Sequence, residues 1–180
     1  MRIVMWKRFS YAFALVAVAA IAVFARDVRV ISLRDDCDPA TFDAAVGPGT
    51  CIGDGDTLFQ DFIDEVLATG SAEKWRFNND RTEADRAVQA ENRGGETHTF
   101  TPVANFGGGF IPVLNAGQAP ITECVGAVPV PDGNGGFIPG PNAGPFVPAG
   151  GRTGNIPLSR GTHRFQCCIH PWMRSTVTVR

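Results

Sequence analysis

The sequence predicts an all-β protein, a β-sandwich with one inserted helix and a long loop rich in glycine and proline. Three observations support this fold class. Short segments with strand character are separated by turn residues, one segment has helical periodicity, and a long stretch has neither pattern. Strands that alternate with turns, and only one helix among them, are typical of two packed antiparallel sheets.

The first 25 residues have the layout of a secretory signal peptide. Arg2, Lys7 and Arg8 precede an apolar run over 11–24, and 23–25 fits the cleavage pattern of a signal peptidase. The run is shorter than the roughly 20 residues that a membrane-spanning helix needs. We therefore expect cleavage near residue 25, no stable membrane insertion afterwards, and a periplasmic or extracellular mature protein.

The remaining segment, 26–180, is long enough for one domain with a hydrophobic core. The three basic residues of the predicted leader are its only charged residues, so its removal changes the formal net charge from −2 to −5. Lysine and arginine are not clustered anywhere in the rest of the chain. An acidic protein without a basic patch is not expected to bind nucleic acid.

Six segments are predicted to be strands: 28–33, 75–77, 87–92, 98–101, 164–167 and 175–180. The first is expected to alternate in burial, and Pro102 is expected to end the fourth. A tight turn is expected at 161–162.

The inserted helix is predicted at 57–69, where apolar residues recur at helical spacing. Asp56 or Thr57 is the expected N-cap, and Gly70 is the expected stop. The stretch 107–154 contains 13 glycines and 8 prolines and is predicted to be mostly loop.

Five cysteines fit an oxidising compartment. Cys37 and Cys51 bracket the predicted loop 38–50, which is rich in proline and glycine, and they are expected to form a disulfide. Cys124 stands alone, and Cys167 and Cys168 are adjacent. An odd number leaves at least one thiol outside a disulfide, and a metal thiolate would account for it.

The last twenty residues contain the pattern C-x-x-H-x-x-M, formed by Cys167, His170 and Met173. His98 supplies a second imidazole from a predicted strand far upstream. Two histidines, one thiolate and a weak methionine ligand form the set that selects copper for electron transfer. Zinc is a weaker fit, because zinc sites seldom use methionine and a second close cysteine pair is missing.

Cys167 and Cys168 compete for the thiolate position. Only Ile169 would separate Cys168 from His170, which is too little to turn the chain, and adjacent strand residues face opposite ways. Cys167 is therefore the predicted ligand, and Cys168 points away from the metal. Two alternatives stay open for Cys168: a disulfide with Cys124, or two separate buried thiols.

The segment 165–173 resembles the copper loop of the cupredoxins, the group that includes plastocyanin, azurin and amicyanin, and its short spacing is most similar to amicyanin. The segment 95–100 resembles the strand that carries their first histidine. The resemblance implies a Greek-key β-sandwich and one copper ion that cycles between Cu(I) and Cu(II). It further implies that Thr99 ties the two ligand loops together by hydrogen bonding. The ligands that it implies are His98, Cys167, His170 and Met173.

The sequence thus predicts an exported mononuclear type 1 copper protein that exchanges single electrons with a redox protein. It contains no evident general base or nucleophile apart from the metal ligands, so an enzyme is not expected. Two alternatives remain, namely copper delivery or storage, and a copper-centred sensor without an electron-relay role. A delivery protein is expected to be rich in methionine or histidine, whereas this chain has three of each.

Overall fold

The computed structural model describes residues 28–125 and 144–180, together with the backbone of two short strands at 130–131 and 137–138. The predicted signal peptide and the middle of the glycine- and proline-rich stretch lie outside the described residues. The described strands are β1 (Val28–Arg34), β2 (Arg76–Phe77), β3 (Arg81–Ala84), β4 (Ala87–Asn92), β5 (His98–Thr99), β6 (Thr101–Val103), β7 (Val130–Pro131), β8 (Phe137–Ile138), β9 (Phe146–Val147), β10 (Ile156–Pro157), β11 (Gly161–Gln166) and β12 (Arg174–Val179). The helices are α1 (Pro39–Ala45), α2 (Phe59–Thr69) and α3 (Thr122–Val125), with a 3-10 turn at Pro112–Asn115.

Two four-stranded sheets form the framework. The first has the order β10-β4-β1-β2, and the second has the order β3-β12-β11-β6. Each sheet mixes pairing types, since β1 runs parallel to β4 and β12 runs parallel to β3, while the other pairs are antiparallel. Strands β5 and β9 pair separately, as do β7 and β8.

Side chains from both sheets meet in one hydrophobic core. Phe100 stacks on Phe165 with ring centroids 4.3 Å apart, and Phe77 of the first sheet lies 5.5 Å from Phe100. Ile31 and Val177, one from each sheet, are fully buried in the same cluster. The predicted β-sandwich is therefore confirmed.

Strand β1 has the predicted position but not the predicted alternation. Ile31, Ser32 and Leu33 are buried in succession, whereas Val30 is 40% exposed. Three consecutive buried residues require that both faces of this half of the strand are covered. A strand covered on both faces does not follow a two-residue burial period.

Helix α1 lies inside the cysteine-bracketed segment, which was expected to be a loop, so the prediction of a single helix is wrong. The side chain of Asp38 accepts a hydrogen bond from the N–H of Thr41 at 2.8 Å, and Pro39 occupies the first turn. Both are ordinary helix-start signals. The Cys37–Cys51 disulfide closes the segment, with Cα atoms 6.2 Å apart.

Helix α2 ends as predicted but begins differently. Gly70 terminates it in the left-handed conformation, with φ of 79°. The N-cap was expected at Asp56 or Thr57, yet the first N–H of the helix, from Phe59, donates to the hydroxyl of Thr41 at 3.1 Å. The cap is thus supplied by α1, a contact that local sequence does not reveal.

Pro102 does not end a strand; it lies inside β6, opposite Phe165. Because β6 is the edge of the second sheet, the missing N–H of proline need not break a pairing on its outer side. Strand β3 was missed by the sequence analysis, and β11 begins at Gly161, where a turn was expected.

The described parts of the glycine- and proline-rich stretch contain short elements, namely the 3-10 turn, α3 and β9, joined by loops. The remainder, 126–143, lies outside the described residues except for the backbone of β7 and β8. Within the described chain, no helix is both long and apolar enough to cross a bilayer.

Candidate metal centre

Three predicted ligands converge at one end of the sandwich. Strand β5 carries His98, Cys167 directly follows β11, and His170 lies on the loop that leads to β12. The sulfur of Cys167 is 4.0 Å from Nδ1 of His98 and 4.0 Å from Nδ1 of His170. The three donor atoms lie within 4.8 Å of one another, and all three residues are buried.

Met173 closes the loop that carries two of these residues. Its N–H donates to the carbonyl of His170 at 2.9 Å, and its own carbonyl accepts from the N–H of Cys167 at 3.0 Å. These bonds continue the β11–β12 pairing and form a tight hairpin end. Met173 is 1% exposed and belongs to the hydrophobic core.

Two backbone N–H groups point at the thiol sulfur of Cys167. Thr99 donates at 3.4 Å and His170 donates at 3.5 Å. Burial raises the pKa of the Cys167 thiol, but hydrogen bonding and charge interactions with His170 and His98 hold it well below its ordinary value. The site therefore favours a thiolate, the form that binds metals.

Thr99 connects the two ligand-bearing segments. Besides donating its N–H to Cys167, it accepts a hydrogen bond from the N–H of Cys168 at 2.7 Å. Its hydroxyl also accepts from that of Thr101 at 3.0 Å. Thr99 thereby holds β5 against the ligand loop, in the place that the cupredoxin resemblance implied.

Cys168 faces away from the donor cluster and forms a disulfide with Cys124, with Cα atoms 5.4 Å apart. With Cys37 and Cys51 also bonded, Cys167 is the one free thiol of the chain's five cysteines. Of the two alternatives that the sequence left open, the structure therefore contains the Cys124–Cys168 disulfide and not two separate thiols.

A buried carboxylate braces His98. Oδ2 of Asp35 lies 2.7 Å from Nε2 of His98, and the Asp35 carboxylate also accepts from the N–H groups of Gly95 at 2.8 Å and Glu96 at 3.2 Å. Burial raises the pKa of Asp35, but these hydrogen bonds lower it overall. For His98, burial lowers the pKa, whereas Asp35 and Cys167 raise it to about 10.

A second carboxylate lies behind His170. Oε2 of Glu96 is 3.6 Å from Nε2 of His170 and accepts a hydrogen bond from the indole N–H of Trp75. Burial raises the pKa of Glu96 above its ordinary value. Sequence reasoning missed both Asp35 and Glu96, although Glu96 lies within the segment 95–100 that was singled out there.

The Cys37–Cys51 disulfide supports both carboxylates from outside. Cys51 forms a β-bridge with Glu96, and the N–H of Ile52 donates to the carbonyl of Gly95 at 2.9 Å. A Cβ atom at Gly95 would lie 2.7 Å from the sulfur of Cys37, so only glycine permits this close approach. The segment that this disulfide closes therefore helps to position Asp35 and Glu96, the residues that contact the histidines.

Aromatic side chains cover His170, which is 2% exposed. Phe62 of α2 meets its ring edge-on at 6.0 Å, and the ring of Trp172 lies at 5.5 Å. The Trp172 indole N–H donates to the carbonyl of Trp75 at 3.1 Å. Trp172 thus packs against His170 at the site.

The chain's third histidine is not part of the cluster. Nε2 of His163 lies 2.8 Å from the carbonyl oxygen of Ser159 on the outer part of β11. With two imidazoles in the cluster, the described residues offer one mononuclear site and not a dinuclear or trinuclear copper centre.

The donor set fits copper. One thiolate with two imidazole nitrogens, and a buried thioether nearby, combines soft donors that favour Cu(I) with imidazoles that accept Cu(II). Structural zinc sites instead use four cysteine or histidine ligands, and the described cluster has three.

Comparison with solved structures finds members of the group that the sequence resembles. A purple cupredoxin from Nitrosopumilus maritimus is 18% identical, over 61% of this chain and 86% of that chain, with a TM-score of 0.35. Amicyanin from Paracoccus versutus (Thiobacillus versutus) is 15% identical, over 66% and 88%, with a TM-score of 0.33. A Cu(I) form of an amicyanin variant is 16% identical, over 61% and 76%, with a TM-score of 0.33. Because these TM-scores are low, the copper interpretation rests on the donor geometry of this chain.

No protein-family model matches the chain. The search of curated proteins found no match.

Proposed function

We propose that the protein is an exported mononuclear type 1 copper protein that transfers single electrons. The observation that carries this proposal is the buried cluster of one thiolate and two imidazoles, His98, Cys167 and His170, within 4.8 Å of one another. Met173 is the proposed weak fourth ligand. A copper ion held by such a set supplies a one-electron Cu(I)/Cu(II) couple.

The chain's own residues would keep this centre rigid. Two N–H groups fix the sulfur of Cys167, the Asp35 carboxylate fixes the imidazole of His98, and aromatic packing fixes that of His170. Ligands that cannot move need little rearrangement when the charge of the centre changes. Rigid support of this kind favours electron transfer.

The burial of the site argues against copper delivery or storage. His98 and Cys167 are fully buried and His170 is 2% exposed. Metal handover by ligand exchange needs donors that an acceptor protein can reach. A relay is less restricted, because electrons can cross a thin layer of protein without contact between the ligands and the partner.

Export and a redox-protein partner belong to the same proposal. The layout of residues 1–25 supports secretion, and the two disulfides suit an oxidising compartment. A redox protein is the expected partner because the relay needs a donor and an acceptor of single electrons.

Reconstitution with Cu(II) tests the proposal. We expect one equivalent to bind and to produce an intense visible absorption band from the copper–thiolate bond. Cys167→Ser should abolish the band, because an alcohol does not replace the thiolate donor. The matched control is the double variant Cys124→Ser with Cys168→Ser, which should keep it. A colourless Cu(II) form of the parent protein, or colour that survives Cys167→Ser, would refute the type 1 assignment.

A further inference from the structure

An apolar cavity of about 350 Å³ lies beside His170, bounded by α1, α2 and the 3-10 turn and open on one side, where Val46 and Val113 are exposed. Its walls come mainly from these elements, and His170 is the one residue of the donor cluster that lines it. The apolar lining includes Phe42, Phe59, Phe62, Ile63, Leu114 and Ile169. Ligand-binding cavities span roughly 300 to 1,000 Å³ and combine an apolar lining with a few polar groups.

Glu96 is the acidic residue of this lining. Oε2 is bonded to Trp75, whereas Oε1 accepts no hydrogen bond from the described residues. Every fully buried side-chain oxygen or nitrogen in the described chain has a hydrogen-bond partner, so an Oε1 without one is not fully buried. The Glu96 side chain is 10% exposed. Oε1 therefore reaches accessible space, and Glu96 lines the cavity.

We propose that this cavity binds a small neutral aromatic molecule that carries a hydroxyl group, a ligand of the phenol class. Its ring would pack against the phenylalanines, and its hydroxyl would donate to Glu96. Flat rings suit walls built from other rings at edge-on angles, such as Phe42 and Phe59 with centroids 5.2 Å apart.

The same walls exclude other classes of small molecule. An anionic ligand would lose its hydration without a paired charge and would also face the Glu96 carboxylate. A purely apolar ligand would cover Oε1 and leave a buried acceptor unpaired. The inference rests on the cavity and on Glu96, and it holds whether or not the electron-transfer proposal is correct.

Matched probes test the role of the hydroxyl. Phenol, toluene and benzoate are titrated into the full chain, and binding is measured by calorimetry and by saturation-transfer NMR. Phenol should bind about 5- to 150-fold more tightly than toluene, since an unpaired buried acceptor costs about 1 to 3 kcal/mol. Benzoate should not bind. Equal affinity for phenol and toluene, or no phenol binding, overturns the proposal.

Exposed positions provide variants that should fold. Val46 and Val113 line the cavity and are 61% and 57% exposed, and Leu67 is 68% exposed but is not part of the lining. Val46→Trp and Val113→Trp should weaken phenol binding severalfold by filling the cavity, and Leu67→Trp should bind phenol like the parent. An equal loss in all three variants, or none in the first two, would place the phenol elsewhere and overturn the proposal. Copper colour, recorded for each variant, reports separately on the metal centre.

Discussion

The two histidines of the candidate centre are held in different ways. The sandwich encloses His98, whose Nε2 meets a carboxylate at 2.7 Å that also accepts two backbone N–H bonds. His170 lies on a loop, where its Nε2 is 3.6 Å from Glu96 and its ring is covered by Phe62 and Trp172. One imidazole is thus fixed by a polar network, and the other by apolar packing next to a cavity.

The carboxylates behind the two rings show the same contrast. The pKa of Asp35 is lowered because its hydrogen bonds outweigh its burial, whereas the pKa of Glu96 is raised because burial dominates. A carboxylate with several donors is stabilised in its charged form, and one among apolar walls is not. Helices α1 and α2 therefore give His170 and Glu96 an apolar environment, whereas His98 and Asp35 lie in a hydrogen-bonded one.

Removing the aromatic cover should have the largest effect. Phe62 packs against Trp75 at 4.5 Å, against Phe42 at 5.5 Å and against the His170 ring at 6.0 Å. Phe62→Ala should lower the free energy of unfolding by about 3 to 5 kcal/mol, the usual cost of truncating a buried phenylalanine. Urea denaturation measures this.

The matched control for this change is Leu67→Ala on the same helix, at a position that is 68% exposed. It should alter stability by about 0.5 kcal/mol or less. If the two substitutions lower the free energy of unfolding by the same amount, apolar packing does not stabilise the region of His170. The proposed difference between the two histidines would then be wrong.

Asp35→Asn should have the next largest effect. Oδ1 of Asp35 accepts from Gly95 and Oδ2 accepts from Glu96, so the amide group of the variant faces an N–H donor in either orientation. We expect a loss of about 1.5 to 3 kcal/mol in unfolding free energy, as for hydrogen bonds to charged groups. Chemical denaturation measures this, and copper titration should show weaker binding because His98 loses its brace.

Glu96→Gln should cost less, about 1 kcal/mol. The carbonyl of the new side chain can still accept from the Trp75 indole, and burial disfavours the charged form of Glu96, so a neutral amide at this position removes little stabilisation. Chemical denaturation of Glu96→Gln and Asp35→Asn under the same conditions compares how much each carboxylate contributes to the free energy of unfolding. A loss equal to that of Asp35→Asn would show that both histidines depend on a charged carboxylate.

The cluster of His98, Cys167 and His170 could be predicted from the sequence, but the carboxylates beside it could not. Cys167, His170 and Met173 are close in the chain, and strand β4 has the predicted bounds. Asp35 reaches its place because β1 pairs in parallel with β4, Leu33 opposite Asn92, which brings the end of β1 beside Gly95. Such non-local pairing leaves no periodic signal in a single sequence. Likewise, the periodicity of α2 predicts a helix but not that its face covers His170.

Acid should remove the contribution to stability that comes from Asp36, the neighbour of Asp35. Burial raises the pKa of Asp36, but hydrogen bonds from Lys74 and Thr57 lower it to about 2. A lowered acid pKa stabilises the fold above the unfolded value of 3.8, and the contribution is lost as pH falls through about 2. Denaturation across this range should show the stability of the parent converging on that of Asp36→Asn. If the free energies of unfolding of the parent and of Asp36→Asn differ by the same amount at every pH, the charge of Asp36 does not stabilise the fold. Asp35 would then be the carboxylate that accounts for the polar stabilisation near His98.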